Sequence, residues 1–434
     1  MIIPVLKPTD IRDYYQPGKQ TVFIVDDICG KFVASQQQIE SWQDLLPVVD
    51  MIIADKLCKI IMSCRLQVFK DDRFQLLRPF KDSECNLNSS DLSLTSEEKV
   101  SIAEIYIGTD AKELDEISIQ CDFFPLLCSL YQENNDVDIN NFFTNTFNVY
   151  KGYLDDLDTQ GVDGRQKICS LALCVIFNNK LREQWLNGKA KKDQLQILED
   201  TCEACGLNRG TSKKELKEAM ATLIDTFVCK QNDIYSTLHD KLFDFLGQYF
   251  CRKMPECLIE HGDINFVFER FVWKATLDNK SNEFLTSIPD DFLELYLERF
   301  QNDWSSGNIG TVFGCSNMQK SIFRQDLIDY LTQLDRSQQF KLANIQDTML
   351  SKEDPGSGNT PLISSCFFGY SDMVQWLLER DANVDQCRND NFTPLIFTCQ
   401  EGHIDILKML LEKNPNINFQ KTWSDSAFHG LYEW

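Results

Sequence analysis

The 434-residue sequence lacks the loop that would normally cradle nucleotide phosphates. Such a loop reads G-x-x-x-x-G-K-[ST], because its glycines let backbone N–H groups wrap the phosphates while Lys and Ser/Thr reach the terminal phosphates and the metal. Gly18-Lys19 is followed by Gln20 and has Asp13 where the first glycine should stand; Gly30-Lys31 is followed by Phe32 with Val25 there; Gly188-Lys189 is followed by Ala190. Histidine is scarce, with only His239, His261, His403 and His429, and there is no G-x-S-x-G, H-E-x-x-H or kinase motif set. Positive charge is also short: 43 Lys and Arg against 66 Asp and Glu leave a net charge of −23. That balance opposes nucleic-acid binding, which depends on cations releasing counterions from the phosphate backbone. The longest apolar run, Leu171 to Phe177, is far below the ~20 residues of a membrane helix, and the proline-broken Met1-Ile-Ile-Pro-Val-Leu-Lys-Pro is too short for a signal peptide. The 17 cysteines therefore read as reduced, small core residues of a cytoplasmic protein. Cys202-x-x-Cys205 has ligand-like spacing, but no second close pair follows, so a buried helix end closed by Gly206 competes with zinc or redox chemistry.

What is present is a pair of apolar strands with polar ends. Thr21-Val-Phe-Ile-Val-Asp26-Asp27 ends in two carboxylates, and Lys59-Ile-Ile-Met-Ser63-Cys64-Arg65 ends in a hydroxyl and a guanidinium. Between them, Ile39, Trp42, Leu45, Leu46 and Val49 give a helical stripe, which Pro47 should kink or split. The unit reads as a right-handed βαβ crossover, which would bring Asp26, Asp27 and Arg65 to one edge. In nucleotide-hydrolysing α/β proteins a carboxylate at such a strand end holds Mg²⁺, and a polar tip on the next strand senses the terminal phosphate. Only 20 residues precede the first strand, too few for a preceding strand–loop–helix unit, so the N-terminus reads as truncated or degenerate. Read without further context, Asp26-Asp27 could simply end a strand and begin a turn, and the pair alone favours that reading over metal binding. A metal-dependent phosphatase or nuclease would want more acidic and Lys/Thr groups at neighbouring strand ends.

From Ser93 the pattern turns helical. Thr95 and Glu98 form a capping box signature, and stripes at Leu195, Leu198 and Cys202 and at Leu216, Met220 and Leu223 continue it. Beyond Asp354 the chain repeats itself. Thr360-Pro361-Leu362 recurs as Thr393-Pro394-Leu395, Leu377-Leu378 as Leu410-Leu411 and Gly369 as Gly402, each at the ankyrin period of about 33 residues. Ser426-Ala-Phe-His429 falls in phase as a truncated third unit. Trp376, Leu377 and Leu410 read as packing residues, whereas Tyr370, Asp390, Asn391 and Phe392 read as exposed anchors for a protein partner.

Asp10-Ile-Arg-Asp-Tyr-Tyr15, Val22 to Lys31, Trp42, Ile61 to Leu66, Leu94 to Lys99 and Phe124-Pro-Leu-Leu-Cys128 together resemble the novel STAND NTPase 3 domain, a relative of NACHT and NB-ARC signalling ATPases. The resemblance runs over roughly residues 1–260. It implies that Asp26 and Asp27 are a Walker B pair able to hold Mg²⁺, that Arg65 ends a sensor 1 strand and that Pro125 contacts adenine from a helical lid, although the glycine usual two residues earlier is Phe123 here. It also implies that His239, in Ser236-Thr-Leu-His239-Asp240, touches the β-phosphate of ADP from a winged-helix domain. Without these motifs Arg65 would be a solvated strand end, Pro125 a first-turn proline and His239 a helix-start histidine. ATP, ADP and magnesium enter through the resemblance alone.

The expected chain is multidomain: a partial α/β P-loop NTPase-type core at 1–92, a helical lid at 93–150, a winged-helix-like region at 151–260, a helical linker at 261–350 and an α-helical ankyrin solenoid at 355–434. It reads as a STAND-type signalling switch or scaffold of innate-immunity character, of ATPase ancestry rather than a working ATPase. It would bind protein through its repeats, bind neither nucleic acid nor membrane, and in a complete member homo-oligomerise. The alternative is a plain ankyrin interaction protein whose degenerate NTPase domain is structural.

Overall fold

The structure is a computed structural model describing residues 1–29, 36–64, 66–69, 74, 76–81, 84–85, 89, 92–119, 124–132, 138–188, 191–224, 226–273, 285–348 and 357–417. The chain divides into two compact units, Met1–Ser83 with Ile264–Trp434, and Glu84–Asp263.

The first unit opens with a three-stranded parallel sheet in the order β1 (Ile2–Val5), β2 (Thr21–Val25), β3 (Cys58–Met62). The segment ahead of β2, judged too short for a strand–loop–helix unit, holds one in miniature. β1 is followed by a loop and by α1 (Asp10–Tyr14), and the Asp10 carboxylate closes that loop by accepting from the N–H groups of Leu6 and Lys7 at 2.9 and 3.0 Å. The crossover to β3 is two helices, α2 (Gln36–Asp44) and α3 (Leu46–Ala54). Pro47 sits in the first turn of α3, where its missing N–H costs nothing, so the proline splits the stripe as the sequence predicts. Ile39, Trp42, Val49 and Ile52 pack with Phe23 and Val25 of β2 on one face of the sheet.

The other face stays open. Ile24 and Ile61 are direct partners across β2 and β3 and are 41% and 58% exposed. Parallel sheets are normally covered on both faces, so this apolar surface departs from the expectation of two buried strands.

The rest of the described first unit is helical apart from a short parallel pair, Phe271–Val272 with Thr286–Ser287. Thr360 and Thr393 cap the helices Pro361–Phe368 and Pro394–Gln400, each accepting from the N–H three residues on, with proline in the first turn. Each is followed by a second helix, Ser371–Leu378 and Ile404–Leu411, whose Leu377 and Leu410 are fully buried. The helices Ser321–Thr332 and Arg336–Asn344, assigned to a linker by sequence, stack on the first of these pairs. Arg324 clamps Asp372 at 2.7 Å, and the Trp376 indole N–H donates to Thr332 at 3.3 Å. The phased segment at Ser426–His429 lies outside the described residues.

In the second unit, Thr95 and Glu98 make the predicted reciprocal cap at the start of the helix Ser96–Ile107. Further on, the helix Gly161–Ile176 leads to β4 (Leu181–Arg182), then to the helices Glu183–Leu186, Lys192–Ala204 and Lys213–Thr222, and then to the hairpin β5 (Val228–Gln231) and β6 (Ile234–Thr237). These strands form one antiparallel sheet in the order β4-β6-β5. Cys202 and Cys205 are buried at a helix end that Gly206 closes with φ +71°, and Cys169 approaches Cys202 to 3.8 Å as a free thiol. Among the described residues no helix is long and apolar enough to cross a membrane.

Candidate functional site

β2 and β3 run parallel with Val25 opposite Met62, so the residues just beyond them emerge at one edge. Ser63 is the hinge of that edge. Its backbone N–H donates to the Val25 carbonyl at 2.9 Å, and its carbonyl accepts from Ile28 at 3.0 Å. Its hydroxyl donates to Asp26 Oδ1 at 2.5 Å while accepting from the Asp27 N–H at 2.8 Å. The chain turns sharply here, with Asp27 and Cys29 at φ 47° and 66°. Such left-handed values are uncommon outside glycine, and the paired hydrogen bonds to Ser63 hold them.

Asp26 is exposed and Asp27 half-buried. Behind them, burial and then the Asp27 carboxylate push the Cys64 thiol up to about 11, and burial raises Cys29 further still. Neither thiol is a nucleophile at neutral pH. Two carboxylates and a hydroxyl are hard oxygen donors, which suit a divalent cation of the magnesium type that keeps most of its waters. That donor chemistry fits the magnesium implied by the resemblance to the nucleotide-binding family, which Asp26 and Asp27 would hold. Arg65, the predicted sensor, lies outside the described residues, and the side chain brought to Asp26 is Ser63. The sequence carried that signal, since a hydroxyl ends the second strand one register step beyond Met62.

Pro125 and His239 belong to the second unit, whereas Asp26 and Asp27 belong to the first. Pro125 is exposed in the first turn of the helix Phe124–Gln132. His239 is exposed at the cap position of the helix Asp240–Lys253; its side chain makes no cap hydrogen bond, and its carbonyl accepts from Thr237 and Phe243.

The proposed partner anchors need correction. Tyr370 is only 5% exposed: Arg324 stacks over its ring at 4.7 Å and its hydroxyl donates to the Phe313 carbonyl. Asp390 binds Arg388 at 2.7 Å, and Phe392 stacks on Phe397 with centroids 4.7 Å apart. Both are committed to the turn between repeats. Asn391 holds φ 64° at the tip and is half-buried. Arg388, not singled out by sequence, organises this turn from a buried position, reaching Glu40 at 3.7 Å and covering the Phe392 and Phe397 rings. Its cue was an arginine two residues from an aspartate within a tight-turn sequence, Arg388-Asn-Asp-Asn-Phe392.

Residues 1–108 match the family model described as Novel STAND NTPase 3, and residues 326–421 match the model of ankyrin repeats in three copies. No curated protein and no solved structure matches the chain. The first match takes in β1 to β3 with Asp26, Asp27 and Ser63, and ends before Pro125. The second begins at 326, so the Ser321–Thr332 and Arg336–Asn344 pair lies largely within the repeat array.

Proposed function

We propose that this chain is a STAND-type signalling scaffold of innate-immunity character, acting in the cytoplasm. Its ankyrin repeats bind a protein partner, and its NTPase-like domain retains part of a nucleotide switch. The observation that carries the reading is the Asp26–Ser63 pair at adjacent ends of two parallel strands, in a chain whose other end is an ankyrin stack. Asp26 and Asp27 are the residues that would hold Mg²⁺, and Ser63 is a positioning residue that fixes the first carboxylate and the turn carrying the second. When bound, magnesium supplies charge neutralisation at phosphate oxygens.

The second unit supports the switch reading. A long helix, a short strand, one helical turn at Glu183–Leu186, two longer helices and a two-stranded hairpin follow in the order that a winged helix would have, with Lys213–Thr222 as the last helix before the hairpin. His239 follows the last strand, where it would face the β-phosphate of ADP, and the helices from Ser96 to Gln132, with Pro125, would serve as the lid. Arg65 would be the sensor-like residue that the family resemblance implies. Homo-oligomerisation would follow opening.

A second reading is a plain ankyrin scaffold with a structural NTPase-like domain. It is favoured by the absence of any G-x-x-x-x-G-K-[ST] in the sequence. Titration of the full chain with fluorescent ADP and ATP, with and without magnesium, decides between them. Saturable binding that Asp27→Asn abolishes establishes the switch; no saturable binding leaves the scaffold. Steady-state phosphate release above background that is lost in Asp27→Asn would overturn the reading of a site without turnover.

A further inference from the structure

The second unit holds a cavity of about 600 Å³ with a basic wall, in a chain of net charge −23. Arg209, Lys213, Lys214 and Lys217 are among the lining residues, Leu195 adds an exposed apolar surface, and Glu199, the one carboxylate among the described lining residues, lies 3.5 Å from Arg209. Three of the cations already have carboxylate partners. Arg209 pairs with Asp200 and Glu203, Lys217 meets Glu183 at 2.8 Å, and Lys214, 84% exposed, lies 3.7 Å from Glu218.

Lys213 differs from the others. The residue is only 8% exposed, and its ammonium donates to two neutral acceptors, the Trp185 carbonyl at 2.6 Å and Gln194 Oε1 at 3.4 Å, with the Trp185 ring 4.7 Å away. Withdrawing an ammonium from water without an opposite charge is costly, and hydrogen bonds to neutral oxygens offset only part of the cost. Burial accordingly lowers its basicity. An anion in the adjoining cavity would supply the missing counter-charge, and a charge-assisted contact there is worth roughly twice a neutral one.

We propose that this cavity binds a small organic anion, its apolar body against Leu195 and its phosphate or carboxylate head group in the field of Lys213 and Lys214. The site is distinct from the Asp26–Asp27 edge and does not depend on the nucleotide reading. A polyanion such as nucleic acid is disfavoured, because Arg209, Lys214 and Lys217 are already paired with carboxylates and the chain as a whole, at net charge −23, repels phosphate backbones.

The test is a fluorescence titration of the full chain with anilinonaphthalene sulfonate, which carries both an apolar body and an anionic group. One saturable site is expected, weakened about tenfold or more in Lys213→Met and in Lys214→Glu and weakened by salt. Lys214→Glu changes an exposed residue, so it keeps the test sound if Lys213→Met fails to fold. Decyl phosphate and decanoate as competitors separate the two head groups, and displacement by either supports the site. Dye binding that both variants leave unchanged, no saturable binding, or displacement by a short single-stranded DNA but by neither amphiphile would overturn it.

Discussion

Ser63, the first residue beyond β3, donates a 2.5 Å hydrogen bond to Asp26, the first residue beyond β2, and the same hydroxyl accepts from the Asp27 N–H. One side chain thus fixes two consecutive residues across a strand gap. Only a parallel register permits this, because an antiparallel partner would place the two strand ends at opposite edges of the sheet.

Ser63→Ala should therefore loosen the turn while leaving the sheet intact. The Asp27 N–H loses its acceptor in an exposed turn held at positive φ, where water can take its place, a loss of about 0.5–1.5 kcal/mol for that local structure. Hydrogen exchange at Asp27 should accelerate by about two- to tenfold, with exchange at Phe23 unchanged. Equal acceleration at both amides would mean that the hydroxyl supports the whole sheet.

The glycines that repeat at the ankyrin offset are not equivalent. Gly369 and Gly402 both have positive φ, 74° and 72°, but a Cβ on Gly369 would lie 2.7 Å from the His403 ring, whereas one on Gly402 meets nothing within 4 Å. Gly402→Ala should cost about 1 kcal/mol from backbone conformation alone. Gly369→Ala should cost on the order of 2–4 kcal/mol, because the ring must also leave the Phe367 carbonyl it meets at 3.2 Å. Thermal melting of both variants measures the difference, and His403→Ala should rescue part of the Gly369→Ala loss only.

Glu183 gives the second unit a specific acid sensitivity. Hydrogen bonds from Lys217 at 2.8 Å and Lys230 at 2.7 Å hold its carboxyl at about 2, below the ordinary 4.5. A carboxyl depressed on folding contributes stability above its unfolded value, and that contribution is lost as pH falls from about 4.5 through about 2. The Glu183 side-chain resonance should titrate in the lower part of that window. Glu183→Gln should flatten the acid dependence of melting there, and an unaltered dependence would show that other carboxyls govern it.

The elements legible in the sequence were those with a local chemical signature. Pro47 had to kink or split a helix, Thr95 with Glu98 made a capping signature, and Thr360-Pro361 and Thr393-Pro394 announced the same helix start twice. The helices Ser321–Thr332 and Arg336–Asn344 lack the Thr-Pro start and the closing glycine. Their place in the repeat array depends on tertiary partners such as Arg324 with Asp372, which no local pattern encodes. β1 was missed for a similar reason, since four residues containing Pro4 become a strand only by pairing with β2. At the candidate site the strands and carboxylates were legible. The choice of Ser63 as partner of Asp26 required the register.

The same distinction between local cue and tertiary role fixes what Asp390 does. A sequence reading makes it an exposed polar tip for a partner, but its carboxylate lies 2.7 Å from Arg388, a residue 7% exposed over two phenyl rings. Removing one member of a buried pair leaves an uncompensated charge, at a cost of about 3–5 kcal/mol. Glu40 at 3.7 Å remains to share the guanidinium, so Asp390→Ala should fall near about 3 kcal/mol, the lower end of that range. Arg388→Met in the same chain should recover part of the loss, because the apolar side chain can still cover Phe392 and Phe397 without a charge to neutralise. A double-mutant cycle by thermal denaturation measures this coupling. Additive losses, or an Asp390→Ala chain as stable as the parent, would return Asp390 to the surface role that the sequence suggested.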